Sequence, residues 1–186
     1  MSVVPDVSVV VVCAECRSFW PVQGTPQCED PRHQHERFEV HRHRTVVPLQ
    51  DGTEVSAVSF DETDPYRRSA VPDFGLYLDT RWAPPWEHRH VDWPDFGVPA
   101  DLGDFVAALR GVLDRARSGQ RVEVGCLGGH GRTGTALACL AVLIGHPAVD
   151  AVEWVRTTYC SDAVETPEQE AFVAAMCGGT GSGHPG

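Results

Sequence analysis

One segment of the chain combines a cysteine, an arginine and four glycines within nine residues, which indicates chemistry on an anion. Residues 126–134 read Cys-Leu-Gly-Gly-His-Gly-Arg-Thr-Gly. Glycines let consecutive backbone N–H groups turn inward as an anion nest, and a helix that follows the loop adds its positive end. Such a loop lowers the pKa of a cysteine at its base. We therefore expect a Cys126 thiolate, with Arg132 gripping two phosphate oxygens and Thr133 hydrogen-bonded to the sulfur, as phosphoryl transfer to cysteine requires.

A second motif lies upstream and supplies a carboxylate. Residues 93–99 read Trp-Pro-Asp-Phe-Gly-Val-Pro, which places Asp95 31 positions before Cys126. Cys-x5-Arg-Thr followed by Gly resembles the phosphate loop of the protein tyrosine and dual-specificity phosphatases, and residues 93–99 resemble the mobile acid loop of that superfamily. The two motifs follow each other in the order and at about the spacing that the superfamily uses. The resemblance spans residues 46–176 and leaves the N-terminus unexplained.

The resemblance implies a role for each residue of the two motifs. Cys126 is implied as the nucleophile, and Asp95 as the acid that protonates the leaving oxygen and then acts as base on water. Arg132 and Thr133 complete the set that acts on the phosphate. The residues implied to bind the substrate phosphate are Leu127, Gly128, Gly129, His130, Gly131 and Arg132. Chemistry of this kind uses no metal cofactor.

Two further positions bear on the resemblance. Residues 163–169, Ala-Val-Glu-Thr-Pro-Glu-Gln, resemble the glutamine-bearing segment of small superfamily members. This implies that Gln169 orients the hydrolytic water. The alternative is that Gln169 is an ordinary exposed polar residue in the first turn of a helix. Gly125 precedes the nucleophile where the family usually has His, so one contact that orders the loop is expected to be missing.

The elements that must position these residues follow from periodicity and from turn residues. Strands are predicted at 54–60, at 75–78, near His90 and Val91, and at 121–124, where Gly125 is expected to break the strand. Helices are predicted from Leu102 to a stop at Ser118–Gly119, and over 133–144, 149–158 and 167–176. This order indicates an α/β fold, and the resemblance implies a compact dual-specificity-phosphatase-like domain with a central mixed sheet flanked by helices. The predicted domain is 46–177, preceded by a Cys/His-rich extension over 1–45 and followed by a flexible tail over 178–186.

The N-terminal extension carries a pattern typical of zinc ligands. Cys13 and Cys16 form a Cys-x2-Cys knuckle, Cys28 adds a third thiolate, and either His33 or His35 closes a tetrahedral Zn²⁺ site. Three thiolates with no open position favour a structural, zinc-knuckle-like site. The alternative is three unrelated thiols beside a His-rich strand. His41 and His43 alternate with arginines on that segment and are the less favoured ligands.

Composition excludes several classes of protein. The 26 acidic residues exceed the 15 basic ones, and the net charge of −11 argues against binding to nucleic acid. Every basic residue is Arg, so mechanisms that need a Schiff-base or Walker-type lysine are excluded. The apolar runs at 7–12 and 136–145 are too short to span a membrane. Seven cysteines without a signal peptide indicate a reducing, cytoplasmic setting.

The expected function is phosphomonoester hydrolysis through a cysteinyl-phosphate. A phosphorylated protein, bearing phosphotyrosine or, in a shallow pocket, phosphoserine or phosphothreonine, is the substrate that the resemblance implies. A small phosphorylated metabolite, such as a nucleotide, nucleoside or sugar phosphate, is the alternative, because a fold does not set substrate choice. A non-catalytic phosphate-binding zinc module and a sulfur-transfer protein are rivals from other classes. The presence of Cys126, Arg132 and Asp95 together argues against both.

Overall fold

The computed structural model describes residues 7–13, 15, 19–21, 26, 28–41, 43–60 and 70–176. The chain divides into two compact units, Met1–His43 and Arg44–Gly186. The predicted tail over 178–186 lies outside the described residues.

The first unit contains a three-stranded antiparallel sheet. Its strands are β1 (Val7–Cys13), β2 (Phe19–Pro21) and β3 (His35–His41), in the order β2-β1-β3. The register pairs Cys13 with His35, so the last residue of β1 lies opposite the first residue of β3. His41 is the last residue of β3, and His43 lies beyond the strand and is buried.

The second unit is built on a five-stranded mixed sheet in the order β4-β5-β8-β6-β7. The strands are β4 (Arg44–Pro48), β5 (Glu54–Ser59), β6 (Phe74–Tyr77), β7 (His88–His90) and β8 (Val122–Cys126). β4 and β5 pair antiparallel, while β5, β6 and β7 join the sheet through parallel pairs. The carboxyl ends of four parallel strands, β5, β8, β6 and β7, therefore lie at the same edge of the sheet as Cys126, the last residue of β8.

The described residues of this unit form four helices. They are α1 (Leu102–Arg117), α2 (Gly131–Leu143), α3 (Ala148–Thr158) and α4 (Pro167–Ala175). α1 begins where the Asp101 side chain accepts the N–H of Asp104, and it ends before Gly119, whose φ of 86° suits a glycine. The observed mixed sheet and its helices confirm the predicted fold class.

The main hydrophobic core lies between one face of the sheet and the helices. Alternate residues of β5, β6 and β8 enter it together with buried side chains of all four helices. Residues 131–141 of α2 are buried all round, which explains the continuous apolar run in the sequence. The other face of the sheet carries a smaller hydrophobic cluster, in which Val58 packs with the aromatic residues Phe60, Tyr77 and Trp82. β8 thus holds its last residue, Cys126, in a strand that is buried throughout.

The structure corrects the prediction that Gly125 breaks its strand. β8 continues through Gly125 to Cys126. A Cβ at position 125 would lie 2.5 Å from Val58 Cγ2 and 2.8 Å from Phe60 Cε1. Glycine is needed here because the neighbouring strand and this hydrophobic cluster approach the backbone closely.

Candidate active site

The sulfur of Cys126 lies where β8 ends and the loop to α2 begins. The residue is buried, and its Sγ accepts a hydrogen bond from Thr133 Oγ1 at 3.1 Å. Backbone N–H groups of Gly129 and Thr133 also donate to the sulfur. The left-handed φ of 79° at Gly129 lets the loop curl around it. The sulfur therefore lies at the base of a nest of donors, as the sequence predicted for this segment.

Burial raises the pKa of the Cys126 thiol above its ordinary value. The charge of Arg132 and the hydrogen bonds from Thr133 and Gly129 lower that pKa, but burial outweighs them. The direction differs from the sequence expectation of a lowered pKa. The reason is that the nest both donates to the sulfur and excludes water from it.

Arg132 is the second buried side chain of the site. Its Nη1 donates to the backbone carbonyls of Leu78 (3.0 Å) and Trp93 (3.3 Å), and its Nη2 donates to Asp79 Oδ2 at 3.2 Å. Among the residues that the structure describes, its buried Nε has no hydrogen-bond partner. The guanidinium is thus fixed in place with one donor left for an incoming phosphate oxygen.

Asp79 is a residue of the site that sequence reasoning missed. It is buried, and it also accepts hydrogen bonds from Arg81 Nε (2.9 Å) and Nη2 (2.6 Å). Although burial raises the pKa of Asp79, its hydrogen bonds with Arg81 hold that pKa below the ordinary range. Asp79 lies two positions after β6, at the edge where the carboxyl ends of the parallel strands meet. Its place directly after a predicted strand is the feature of the sequence from which it could have been identified as a site residue.

The predicted acid loop brings Asp95 to the arginine. Trp93 anchors the loop, since its indole is buried edge-to-face against Phe105 with ring centroids 5.1 Å apart. A turn closes where Gly97 N–H donates to the carbonyl of Pro94. Asp95 Oδ1 then lies 3.3 Å from Arg132 Nη2, with the Asp95 side chain 47% exposed. Asp95 is therefore at the mouth of the site, while Cys126 is at its base.

Gln169 is fully buried, unlike the exposed glutamine that the alternative interpretation required. Its Nε2 donates to the carbonyl of Gly97 at 3.1 Å, and its Oε1 accepts the N–H of Glu165 at 2.9 Å. Thr166, the residue before α4, donates from Oγ1 to the carbonyl of Phe96. The structure thus places the Gln169 amide between two backbone segments rather than open to a water in the site.

The remaining residues of the loop form its rim. Leu127 and Gly128 are half-buried, and the carbonyl of Leu127 accepts the N–H of Phe60. The carbonyl of Gly129 accepts the hydroxyl of Tyr159, which follows α3. His130 Nδ1 lies 3.6 Å from Cys160 Sγ, so the outer side of the loop is braced by the segment after α3.

The structure brings together three of the predicted metal ligands. Cys13 Sγ and Cys28 Sγ lie 3.4 Å and 3.2 Å from His33 Nδ1, and the three ligand atoms are within 4.8 Å of one another. His35 is exposed and does not belong to this group. Cys16 lies outside the described residues.

Comparisons with known proteins agree with this geometry. A family model described as protein-tyrosine phosphatase matches residues 12–175. Two uncharacterized proteins of Methanocaldococcus jannaschii are 43% and 42% identical to the chain over 84 residues, which is 45% of this chain and 55% and 51% of theirs. The chain thus spans about half the length of these curated relatives.

Solved structures of phosphatases share the fold. Tk-PTP in its active form is 25% identical with a TM-score of 0.54, over 70% of this chain and 95% of that one. A kinase associated phosphatase with its catalytic cysteine replaced by serine has a TM-score of 0.59 at 16% identity, over 73% and 93% of the two chains. PTPMT1, in a complex with PI(5)P, has a TM-score of 0.56 at 18% identity, over 66% and 88%.

No helix among the described residues is both long and apolar enough to cross a membrane. The family model covers most of the sequence, including Asp95, the Cys126 loop and Arg132. The chain belongs to the protein-tyrosine phosphatase family.

Proposed function

We propose that this phosphatase hydrolyses phosphotyrosine in proteins through a cysteinyl-phosphate on Cys126. The observation that carries the proposal is the convergence of three groups from distant parts of the chain. Thr133 and backbone N–H groups surround the Cys126 sulfur, Arg132 keeps a buried donor open, and Asp95 lies 3.3 Å from that arginine. A nucleophile, an oxyanion clamp and an acid at the mouth are what the reaction needs.

Each residue has a separate task in the proposed reaction. The Cys126 thiolate attacks phosphorus while Arg132 Nε and the loop N–H groups hold the non-bridging oxygens. Asp95 gives its proton to the leaving oxygen, so that the tyrosine phenol departs and the phosphoryl group stays on sulfur. The Asp95 carboxylate then takes a proton from water as the water oxygen attacks phosphorus, the P–S bond breaks, and its electron pair returns to Cys126 Sγ. These steps require no metal or cofactor.

The depth of the nucleophile supports phosphotyrosine over phosphoserine. Cys126 is 3% exposed, so the phosphate must reach the base of the site, and a phenyl ring supplies more length than a single methylene. Phe96 is 53% exposed beside Asp95, where it is placed to contact an aromatic ring.

A small phosphorylated metabolite is the second candidate substrate. The loop positions 127–131 contain no Lys or Arg, which argues against multiply phosphorylated substrates. PTPMT1 was solved with PI(5)P, but its 18% identity to this chain supports a common fold and not a common substrate.

The test is a substrate panel with the nucleophile removed. Cys126→Ser should abolish hydrolysis of p-nitrophenyl phosphate and of a phosphotyrosine peptide, yet still bind vanadate, because Arg132 and the loop remain. Cys139→Ala, on the buried side of α2, is the matched control and should keep activity. Turnover by Cys126→Ser within tenfold of the unmodified protein would contradict the mechanism. Faster hydrolysis of nucleotide or sugar phosphates than of the phosphotyrosine peptide would show that the substrate is a small phosphorylated metabolite.

We also propose a structural zinc ion in the first unit, held by Cys13, Cys28 and His33. Two buried thiols around one imidazole nitrogen support it, since thiolate and imidazole are the ligands that Zn²⁺ prefers. The sequence predicts Cys16 as the fourth ligand. The ion would stabilise the fold and take no part in catalysis. A reducing, cytoplasmic setting belongs to the same proposal, because both this site and Cys126 need reduced thiols.

A further inference from the structure

The turn between β8 and α2, residues 127–130, has three carbonyl groups bonded to donors outside it. The carbonyls accept as follows: Leu127 from the N–H of Phe60 (2.9 Å), Gly129 from the hydroxyl of Tyr159 (2.6 Å), and His130 from the N–H of Gly134 (2.7 Å). A trans peptide unit is planar, so its N–H points opposite to its C=O. The N–H groups of the next residues in the chain therefore point into the turn, where a phosphate oxygen would bind. These residues are Gly128, His130 and Gly131.

One of the three hydrogen bonds differs from the others because it depends on a side chain. The bonds at Leu127 and His130 join main chain to main chain, and the bond at His130 belongs to the first turn of α2. Gly129 has a left-handed φ of 79° and follows another glycine, so its peptide can rotate with little steric resistance. The direction of the Gly129 carbonyl is therefore set by its contact with Tyr159 rather than by the local backbone.

Tyr159 is itself held at the end of α3, so its hydroxyl has a defined position. Its backbone N–H donates to the carbonyl of Val155 at 2.9 Å. The next residue, Cys160, is buried, and its Sγ lies 3.6 Å from His130 Nδ1, which keeps the His130 ring beside this segment and out of the turn. Burial raises the pKa of the Tyr159 phenol, so the hydroxyl keeps the proton that it donates.

We infer that Tyr159 is a positioning residue for phosphate binding: its hydroxyl holds the Gly129 carbonyl outward and thereby presets the His130 N–H to meet a phosphate oxygen. The inference rests on the proposed function of the same site. Tyr159 acts through the peptide that joins Gly129 to His130 and does not touch the reacting atoms. Once a phosphoryl group has bound the His130 N–H, that bond holds the same peptide in place. The hydroxyl therefore contributes to the binding of the phosphate and not to the chemical steps.

The test is Tyr159→Phe, which removes the hydroxyl and keeps the ring. In this variant the Gly129 peptide divides between two orientations, and the apparent affinity falls with the fraction that points its N–H inward. The Ki of inorganic phosphate and the KM of p-nitrophenyl phosphate should rise together by roughly three- to tenfold, which is what one hydrogen bond contributes on balance. The kcat should stay the same, because saturating substrate selects the competent orientation. A residue that only supports the fold would not produce this division between KM and kcat.

Tyr77→Phe is the matched control. It also removes a phenol hydroxyl, one that donates to Glu123 Oε1 at 2.5 Å on the other face of the sheet. This change should leave both the Ki of phosphate and the KM unaltered, whatever it does to the melting temperature. A second measurement uses the unmodified protein alone and does not depend on the folding of a variant. Inorganic phosphate should shift the backbone N–H signals of Gly128 and His130 downfield in the NMR spectrum of the ¹⁵N-labelled protein.

Three results would overturn the inference. An unchanged Ki of phosphate in folded Tyr159→Phe would mean that the hydroxyl does not preset the turn. A lower kcat at unchanged Ki would assign Tyr159 to the chemical steps. A His130 N–H signal that phosphate does not move would mean that this group lies outside the phosphate site. If the unmodified protein neither bound phosphate nor hydrolysed p-nitrophenyl phosphate, the proposed function itself would fail, which distinguishes that failure from the other three.

Discussion

Asp95 is the residue whose chemical role depends most on its surroundings. Its side chain is half exposed at the mouth of the site and contacts the buried Arg132. Such a position suits a proton donor that meets the leaving group of a bound phosphate ester. It equally suits a residue that only closes the site by pairing with the arginine, so kinetics must separate the two roles.

Asp95→Asn should affect substrates according to their leaving groups. An alkyl phosphate needs protonation of its leaving oxygen, so its hydrolysis should fall by roughly 10²–10⁴-fold. Hydrolysis of p-nitrophenyl phosphate should fall far less, because nitrophenolate leaves without a proton. Asp92→Asn is the control, since Asp92 is exposed on the same loop and accepts the N–H of Thr80. An equal loss for both substrates would assign Asp95 to closing the site.

The residues that came from motifs were predicted from sequence because their spacing is local. Cys126, Thr133 and Arg132 lie within one turn-and-helix segment, and Asp95 lies in a complete second motif. Asp79 and Tyr159 carried no such signal, because Asp79 meets Arg132 across 53 positions and Tyr159 meets Gly129 across 30 positions. Contacts of this kind depend on tertiary structure, which residue types alone do not specify.

At the scale of elements, the acid loop and the start of α4 behave as one assembly. Gln169 was expected to orient water, yet its amide joins the backbone of the acid loop to that of Glu165. The sequence predicted the helix and its Thr-Pro start correctly. It did not predict the burial of Gln169, because burial follows from the acid loop packing over that helix turn.

A second link between elements ties α1 to the turn between β4 and β5. Arg117, in the last turn of α1, donates from Nε (3.2 Å) and Nη2 (2.7 Å) to Asp51 Oδ2. The hydrogen bonds from Arg117 are the main cause that lowers the pKa of Asp51 to about 2. Asp51 Oδ1 also accepts the N–H of Thr53, which shapes the turn.

The lowered pKa predicts how this link depends on pH. A carboxyl whose pKa is depressed by folding stabilises the protein above its unfolded pKa of about 3.9, and this stability is lost as pH falls through about 2. Asp51→Asn should lower the free energy of unfolding by ~0.2–1 kcal/mol at pH 6, the range for exposed pairs. The difference from the unmodified protein should shrink below pH 4 and vanish near pH 2. The control is Glu153→Gln, exposed in the middle of α3, whose effect on stability should not change with pH in this way. If Asp51→Asn lowered the free energy of unfolding by the same amount at all pH values, the ion pair with Arg117 would be excluded as the cause.

At the scale of the whole molecule, the order of strands and helices was sufficient to predict the α/β class, and the two motifs around Asp95 and Cys126 predicted the phosphatase fold. The helices from Leu102 onward were predicted to within about two residues, because apolar periodicity in α1, the continuous apolar run of α2 and the turn residues between the helices mark them in the sequence. The first unit was harder to predict. Its strands flank cysteines and histidines, and the pairing of β1 with β3 depends on contacts between residues far apart in sequence.

Sequence also left the choice between His33 and His35 open, and the structure supplies the physical reason for a preference. His33 lies in a turn where its N–H donates to the carbonyl of Asp30, and its ring meets both buried thiols. His35 begins β3, where it pairs with Cys13 through the backbone. A zinc ion held by Cys13, Cys28 and His33 would therefore join the end of β1 to the turn before β3.

This arrangement predicts that zinc stabilises the first unit without altering catalysis. Protein purified without a metal-binding tag should contain about one Zn²⁺ per chain, since closed thiolate sites bind the ion as part of folding. The double variant Cys13→Ser, Cys28→Ser should lose the zinc and unfold at a lower temperature, while its pH–rate profile stays the same. Cys139→Ala, buried in α2, should keep the zinc. If the unmodified protein contained almost no zinc and the double variant had an unchanged melting temperature, Cys13 and Cys28 would be ordinary thiols. If mild chelation quickly abolished activity while the fold was unchanged, a metal would lie in the active site.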